Sequence, residues 1–488
     1  MKARLLATAM LLTFLAACAA VPDKLPPPTL KDHVPLAGVS TSPHGHWPDA
    51  RWWHRYDDPQ LDQLMALALK RSADLAEARS RVQKAAQAAR VTAAQVGLKV
   101  NASAQVSRQR MSENGLIPPQ FLGFTWYNQG DLGISLDYDF DWWGKNRAAV
   151  ESAIGKARAA QAQAAAATLA LQTGVAKLWF AWLANQARLD VARQQVADSG
   201  KLLHIATLRA KAGLEPSDQV EQARASLAGA RQQQTALEAQ AAVQRASLAA
   251  LLDVPADQLP ALHAHPLPTP RGTLPADAGL DLMARRPDIA ASRWEVEAAL
   301  RDTDVARAAF LPDISIGAMA GLSSIDLDKL LDAGSRTFSL TPAIHLPIFE
   351  GGLLRARYGL SRAGLEVAIA RYDKTLVDAA RDVATRALTL QQLQQRMRQQ
   401  TEQLEAVTVL QRHADARHQR GLTDARPVLQ ARAERRRQRD AMLALQGQAL
   451  AADIDLIGAL GGGYLDTSDD TPTSAPASVP TPTEHHHD

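Results

Sequence analysis

The stretch Leu132-Gly133-Ile134-Ser135-Leu136-Asp137-Tyr138-Asp139-Phe140-Asp141-Trp142 decides the fold class, because it alternates large apolar residues with small or acidic ones. A strand sends successive side chains to opposite faces, so one face of this segment is wholly apolar and the other is glycine, serine and aspartate. Working outward, the alternation recurs in three more segments. One carries Leu98, Val100, Ala102, Ala104 and Val106; another Ile314, Ile316, Ala318, Ala320 and Leu322; the last Phe338, Leu340, Pro342, Ile344, Leu346 and Ile348. Each is about ten residues long, the length a tilted strand needs to cross a bilayer. Asp137, Asp139 and Asp141 are then expected to face a wet lumen. The connections Gln109 to Phe124 and Ser324 to Arg336 are expected to cover or rim the mouth.

Four strands do not close a barrel. Closure takes about eight, and open edges in lipid would leave backbone groups unpaired. Several copies of the chain must therefore share one barrel, and three copies with twelve strands are the smallest set that leaves an open lumen.

On either side of the strands the period changes to that of helices. From about Lys145 to Ala212 and from about Leu353 to Arg420 no proline occurs, and an unbroken helix of that length runs on the order of 100 Å. Alanines such as Ala157, Ala160, Ala164, Ala167 and Ala170 allow the close approach of a coiled coil rather than a thick core. Taken alone, the helices fit a generic coiled coil. The strands exclude it.

Three blocks recur in the same order, which marks an internal duplication. Ala73-Asp74-Leu75-Ala76 to Val82 matches Pro287-Asp288-Ile289-Ala290 to Val296. Trp143-Gly144-Lys145-Asn146-Arg147-Ala148 matches Gly351-Gly352-Leu353-Leu354-Arg355-Ala356, and Arg209 to Ala225 matches Arg417 to Ala433. Each copy reads as helix, two strands, very long helix, short loop, long helix.

At the N-terminus, Lys2 and Arg4 precede an apolar run from Leu5 to Ala17 and the chain's only cysteine, Cys18. The run is too short for a spanning helix and reads as a secretory leader. Leu15-Ala16-Ala17-Cys18 resembles the lipobox of bacterial lipoproteins, which implies cleavage before Cys18 and its acylation; Ala19 after it resembles outer-membrane sorting. The organisation expected is a signal peptide (1–17), a lipidated Pro-rich tether (18–50), a first repeat (51–262), a second (263–463) and a disordered tail (464–488) ending in His485, His486 and His487.

With 54 basic and 51 acidic residues the formal charge is +3, and losing Lys2 and Arg4 with the leader leaves +1. So even a balance argues against nucleic acid, and Arg435, Arg436, Arg437 and Arg439, interleaved with Glu434 and Asp440, read as a solvated helix face. No phosphate-cradling glycine loop, Gly-x-Ser-x-Gly or His-Glu-x-x-His occurs, so no enzymatic activity, cofactor or metal is expected.

The chain resembles the TolC-like outer-membrane factors, in particular their NodT-type lipoprotein subgroup. The resemblance runs from Trp52-Trp53 and Asp58-Pro59-Gln60-Leu61-Asp62, through Arg285-Arg286-Pro287-Asp288-Ile289, Phe310-Leu311-Pro312 and Phe349-Glu350-Gly351-Gly352, to Ala459-Leu460-Gly461-Gly462-Gly463. It implies a mainly α fold with transmembrane β: a homotrimer whose twelve-strand outer-membrane barrel continues as a twelve-helix periplasmic barrel. It implies a passive duct for small molecules or drugs that docks to a periplasmic adaptor and an inner-membrane pump. A type I secretion duct and a lipid-anchored periplasmic coiled-coil scaffold are the alternatives.

In the family the periplasmic end is pinched near the helix-loop-helix tips, here Gly213 to Gln222 and Gly421 to Gln430. The family commonly has aspartate one turn past the second tip. Here Gln430 stands there, with Pro427 before it, so Asp424 and Arg426 become the candidate gate pair across subunits, with Gln430 beside them. Arg209, Gly213 and Leu214, recurring as Arg417, Gly421 and Leu422, are the candidate adaptor contacts, although glycine there also suits a helix-capping turn.

Overall fold

A computed structural model describes residues 21–31, 45–112, 114, 119–275 and 278–466. The signal peptide, Cys18 and the tail from Thr467, including His485, His486 and His487, lie outside the described residues.

The first half comprises α1 (Pro59–Arg71), α2 (Ala73–Gln95), β1 (Lys99–Arg110), β2 (Trp126–Phe140), α3 (Lys145–Lys211) and α4 (Ser217–Leu251). The second comprises α5 (Ala278–Arg285), α6 (Pro287–Ala308), β3 (Asp313–Ser324), β4 (Arg336–His345), α7 (Leu353–Gln419) and α8 (Ala425–Ala459). Helices α3 and α7 are both 67 residues, and α4 and α8 both 35. At about 1.5 Å per residue the longer pair spans about 100 Å. The duplication has thus conserved length to the residue.

Along its first half α3 packs between α2 and α6, and along its second half between α4 and α8. Helix α7 packs on α6 and then on α8. The result is a wall four helical columns wide, α2/α4, α3, α6/α8 and α7, in which two columns are single helices and two are end-to-end pairs. The tightest seam on α3 is Ala148, Ser152, Gly155, Ala159 and Ala162, spaced four and three in turn as in a coiled coil. A Cβ added to Gly155 would sit 3.2 Å from the Ala298 Cβ of α6. By contrast Ala160, Ala164, Ala167 and Ala170 turn toward α2, where they line a shallow groove with Asp74, Glu77 and Arg81.

Apolar density gathers at mid-length. Trp52, Trp179, Phe180, Leu183 and Leu248 form one core, and Tyr372, Leu376, Val383, Leu390 and Leu456 another. Two buried carboxylates pin the repeats together there. Asp58 caps α1 through the Gln60 and Leu61 N–H groups, and its other oxygen accepts from Trp179 Nε1 at 2.6 Å and faces His265 Nε2 at 3.0 Å. Asp453 of α8 accepts from the Tyr56 hydroxyl at 2.8 Å, and burial pushes both its carboxyl and the Tyr56 phenol upward.

The Pro-rich segment is not a free tether where it is described. Residues 21–31 are extended, as expected, but they lie as a strap along α6 and α7. Arg307 Nε donates to the Pro22 carbonyl at 2.8 Å and the Tyr372 hydroxyl to the Lys31 carbonyl at 3.1 Å, while Leu25 and Leu30 pack on the second core.

The four strands form one antiparallel sheet in the order β1-β2-β3-β4, with β1 and β4 unpaired at its edges within the chain. Register aligns the faces. Val100, Leu136, Ala318 and Leu340 lie in one row, and Ala104, Leu132, Leu322 in another. Ser103, Gly133 and Gly321 line the opposite face. Along the upper part of β2 the exposed residues Trp126, Asn128, Leu132 and Ile134 alternate with half-buried Tyr127, Gln129, Asp131, Gly133 and Ser135, so there the apolar face is the more open and the polar face the more covered. Strand β4 stops at His345 although the alternation in sequence runs to Ile348. Pro347 has no N–H to give a ladder, whereas Pro342 is tolerated because β4 is an edge.

Candidate functional site at the hairpin tips

Both helical hairpins turn in the same way. Gly213 and Gly421 have φ of 69° and 70°. The N–H of each donates three residues back, to Ala210 and His418, and the next N–H, on Leu214 and Leu422, donates to Arg209 and Arg417 at 2.9 Å. This is the Schellman closure of a helix, and glycine is there because a Cβ resists that left-handed backbone. The expected capping role of Gly213 and Gly421 is therefore met, while Leu214 and Leu422 project into solvent, 65% and 71% exposed.

The hairpins part company in the next two residues. Glu215-Pro216 enters α4 with no side-chain cap, whereas Asp424 caps α8 by accepting from the Arg426 N–H at 3.0 Å. Arg426 folds back onto Asp424 through Nε at 3.0 Å and a terminal nitrogen at 2.8 Å. Its other terminal nitrogen donates to Glu215 of the first tip, which also accepts from Arg209 Nε at 2.9 Å. Arg209 in turn lies 3.9 Å from Asp424. Only 10% of the Glu215 side chain is exposed. Two carboxylates and two guanidiniums thus form a closed clasp between the tips. Hydrogen bonding to Arg426 holds the Asp424 carboxyl below its ordinary range, and the same bond raises Arg426.

This differs from the sequence expectation in one respect. Asp424 and Arg426 were expected to pair across subunits, yet each is satisfied within one chain, because α8 packs on α3 and brings Glu215 and Arg209 to them. Gln430, one turn further, is exposed. Glu215 is the member that the gate expectation lacked; an acid next to Pro216, where the second copy has Thr423 next to Asp424, was its only signal.

Above the clasp, ion pairs continue up the α3–α8 seam. Asp198 takes Arg436, Arg188 holds Asp440 with two bonds of 2.7 and 3.0 Å, and Lys177 meets Asp455 at 2.8 Å. The α3 positions fall 10 or 11 residues apart, which keeps them on one side of the helix. Arg436, read in sequence as part of a solvated arginine face, is in fact largely buried at 14% exposure.

At the strand end, Asp137 and Asp139 share the polar face of β2. Asp141 does not join them. It lies past the strand, and its two oxygens accept from the Asn146 and Arg147 N–H groups at 2.9 and 2.8 Å, capping α3. That corrects the expectation that all three face a lumen. A helix starting after Gly144 leaves its first N–H groups orphaned, and Asp141 is the nearest acceptor. On the polar face Asp131 is the hub, accepting from Ser323 at 2.7 Å and Gln129 at 3.2 Å.

Among the described residues no group of three or more His, Cys, Asp or Glu is placed to hold a metal, and no helix is long and apolar enough to cross a membrane.

An open sheet with one apolar face, set on helical hairpins of about 100 Å, defines an outer-membrane channel subunit of the strand-and-hairpin kind. Residues 64–253 and 280–462, one span in each repeat, match the family described as outer membrane efflux protein, and the chain belongs to that family. It is 37% identical over 463 residues to the multidrug resistance outer membrane protein MdtP of Escherichia coli O6:H1, covering 93% of this chain and 94% of that one. To MdtQ of Escherichia coli O157:H7, another multidrug resistance outer membrane protein, it is 34% identical over 470 residues, 93% and 97% of the two chains. The outer membrane protein VceC of Vibrio cholerae superposes with a TM-score of 0.77 at 32% identity, over 86% of this chain and all of that one.

Proposed function

We propose that three copies of this chain assemble a duct through the outer membrane for efflux of small molecules, receiving cargo from a periplasmic adaptor and an inner-membrane pump. The observation that carries this reading is the four-stranded sheet with one apolar face, one polar face and two unpaired edges; closed into a barrel, it puts the apolar face on the convex, lipid side and the polar face on the concave side. In lipid those edges demand partners, and a second and third copy supply them. Three copies give twelve strands and, with four columns each, twelve columns of helix. Two copies would give about eight strands, whose interior side chains fill the barrel.

The lateral edge of the wall supports the same assembly. Helix α7 exposes Leu360, Val367, Val377 and Leu388, spaced about two or three turns apart along one helix, an apolar stripe suited to a neighbouring helix rather than to water. Cys18 carries the lipid anchor in this reading. It lies four residues before Pro22, which is bonded to Arg307 in the last turn of α6, just below β3; an acyl chain there reaches the bilayer beside the barrel.

At the other end the clasp holds the duct shut. Its bonds lie within each chain, so opening requires the α3–α4 and α7–α8 tips of one subunit to part. Leu214 and Leu422, with Arg417, face outward for the adaptor, and Arg209 serves the clasp as well as the tip. The wet concave face with Asp131, Asp137 and Asp139 lines the exit.

The purified full-length protein should give discrete conductance steps in planar lipid bilayers and migrate as a heat-sensitive oligomer. A chain that extracts with membranes yet yields neither contradicts the proposal.

A further inference from the structure

Between Trp126 and Ser135 the alternation of exposed and half-buried residues along β2 breaks once, at Gly130. It points to the convex apolar side with Leu132 and Ile134, yet it is buried. The cover is the β3–β4 connection, residues 325–335. A Cβ built on Gly130 would stand 2.8 Å from the Leu327 Cδ2 and 3.0 Å from the Leu330 Cδ2. The connection therefore does not stand over the mouth. It leans outward against β2 at the level where its own hairpin ends, since Gly130 pairs with Ser324, the last residue of β3, and β4 begins at Arg336 beside Leu322.

The depth of that seat follows from the register. Gly130 lies four residues below Trp126, which is exposed on the same face at the top of β2, and ten above Phe140 at its foot. At about 3.4 Å per residue along a strand tilted about 45°, the seat is roughly 10 Å below the Trp126 level. The connection also presents Ile325, Leu327 and Leu331 outward, Leu331 being 77% exposed. Asp326, Asp328 and Asp332 are exposed beside them, and Lys329 bonds to Asp326 at 2.9 Å.

We infer that residues 325–335 form an amphipathic foot that rests on the outer leaflet, with Ile325, Leu327 and Leu331 in the acyl boundary and the aspartates among the headgroups. Two features select lipid as the occupant. The exposed leucines adjoin the upper end of the sheet's apolar band at Leu322 and Leu132, where Ser324, Asn128 and Arg336 bring polar groups to the same face, as at a headgroup boundary. The foot also leans from the top of β3 toward β2, over the interior of its own subunit's sheet rather than outward past the β4 edge that a second copy would use. Short apolar segments of this kind bury about 5–10 Å into the interface. The foot gives the duct a fixed depth in the bilayer and leaves the mouth free of this loop.

The inference rests on the reading of the convex face as lipid-facing, and the experiment separates the two. Single cysteines are placed at Leu331→Cys, at Ile134→Cys on the convex face and at Gln105→Cys on the concave face, with the unsubstituted protein as label blank. Each is labelled with a nitroxide and reconstituted in vesicles of phosphatidylethanolamine and phosphatidylglycerol. Accessibility to oxygen, which partitions into lipid, is compared with that to a water-soluble nickel chelate. The Leu331 site should resemble Ile134, with an oxygen-to-nickel ratio several-fold above that of Gln105. Adding Leu330→Asn should unseat the foot and move the Leu331 ratio toward the aqueous value while Ile134 stays unchanged. A Leu331 ratio equal to that of Gln105, with Ile134 still lipid-exposed, overturns the foot and spares the barrel; nickel access at Ile134 itself overturns both. A Leu331 ratio indifferent to Leu330→Asn shows that the Gly130 seat does not hold the loop.

Discussion

The two hairpins have the same lengths, the same left-handed glycine and the same pair of closing hydrogen bonds, yet they differ in charge where they enter their second helices. The first tip offers Glu215 and no side-chain cap; the second offers a capped Asp424 and Arg426. Backbone geometry was thus kept through duplication while the side chains became complementary, so the copies clasp each other instead of repelling as two identical tips would. In the proposed trimer, a tube with near-sixfold helical geometry acquires a threefold element in this way.

A second contrast lies at the other end of the hairpins and carries the largest expected effect. Helices α4 and α8 both close with a left-handed residue, Asp253 at φ 51° and Gly461 at φ 89°. Over Gly461 passes the Arg285 carbonyl, 1.7 Å from where a Cβ would sit. Gly461→Ala should cost several kcal/mol, combining strain with a backbone clash, and should abolish heat-sensitive oligomers in membranes. Asp253→Gly, at the equivalent position, should be nearly neutral. Equal effects from the two would break the claim that only the second copy is pinned there.

Next in size is the clasp. Glu215→Ala removes the carboxylate shared by Arg209 and Arg426, a loss of about 1–2 kcal/mol of closed-state bias, and should raise open probability roughly five- to thirtyfold. Arg426→Ala should act in the same direction and should add little when combined with Glu215→Ala. Additive effects would mean that the residues act separately.

Acid provides a gentler probe. The Asp424 carboxyl is depressed in the folded protein, so its contribution is complete above about pH 4, the ordinary aspartate value, and fades as pH falls further toward the depressed value. Conductance recorded from pH 7 down to pH 3 should rise only in the most acid part of the range, and Asp424→Asn should remove that rise. A transition near neutral pH would point to a different group.

Much of the fold was legible in the sequence for plain reasons. Proline-free runs bounded by Gly144 and Gly213, or Gly352 and Gly421, fix α3 and α7 to within about a residue of the expected ends, and period-two alternation located the four strands. The site was less legible because its contacts are distant in sequence: Arg426 meets Glu215 across 211 residues, and nothing local announces the pairing. Asp141 misled because its alternation continues that of β2 while its chemistry belongs to the next helix. The foot was illegible for a related reason. A loop looks the same in sequence whether it stands over a barrel or leans on its flank, and only the missing Cβ of Gly130 records the choice.

The account turns on an incomplete sheet being completed by copies of itself, and the mass of the folded particle tests that most directly. Native mass spectrometry of the protein extracted from outer membranes should show three chains, each of 52.6 kDa less the leader and plus any acyl groups, with no folded single chain. A stable folded particle of one chain, still holding its four strands, would contradict it.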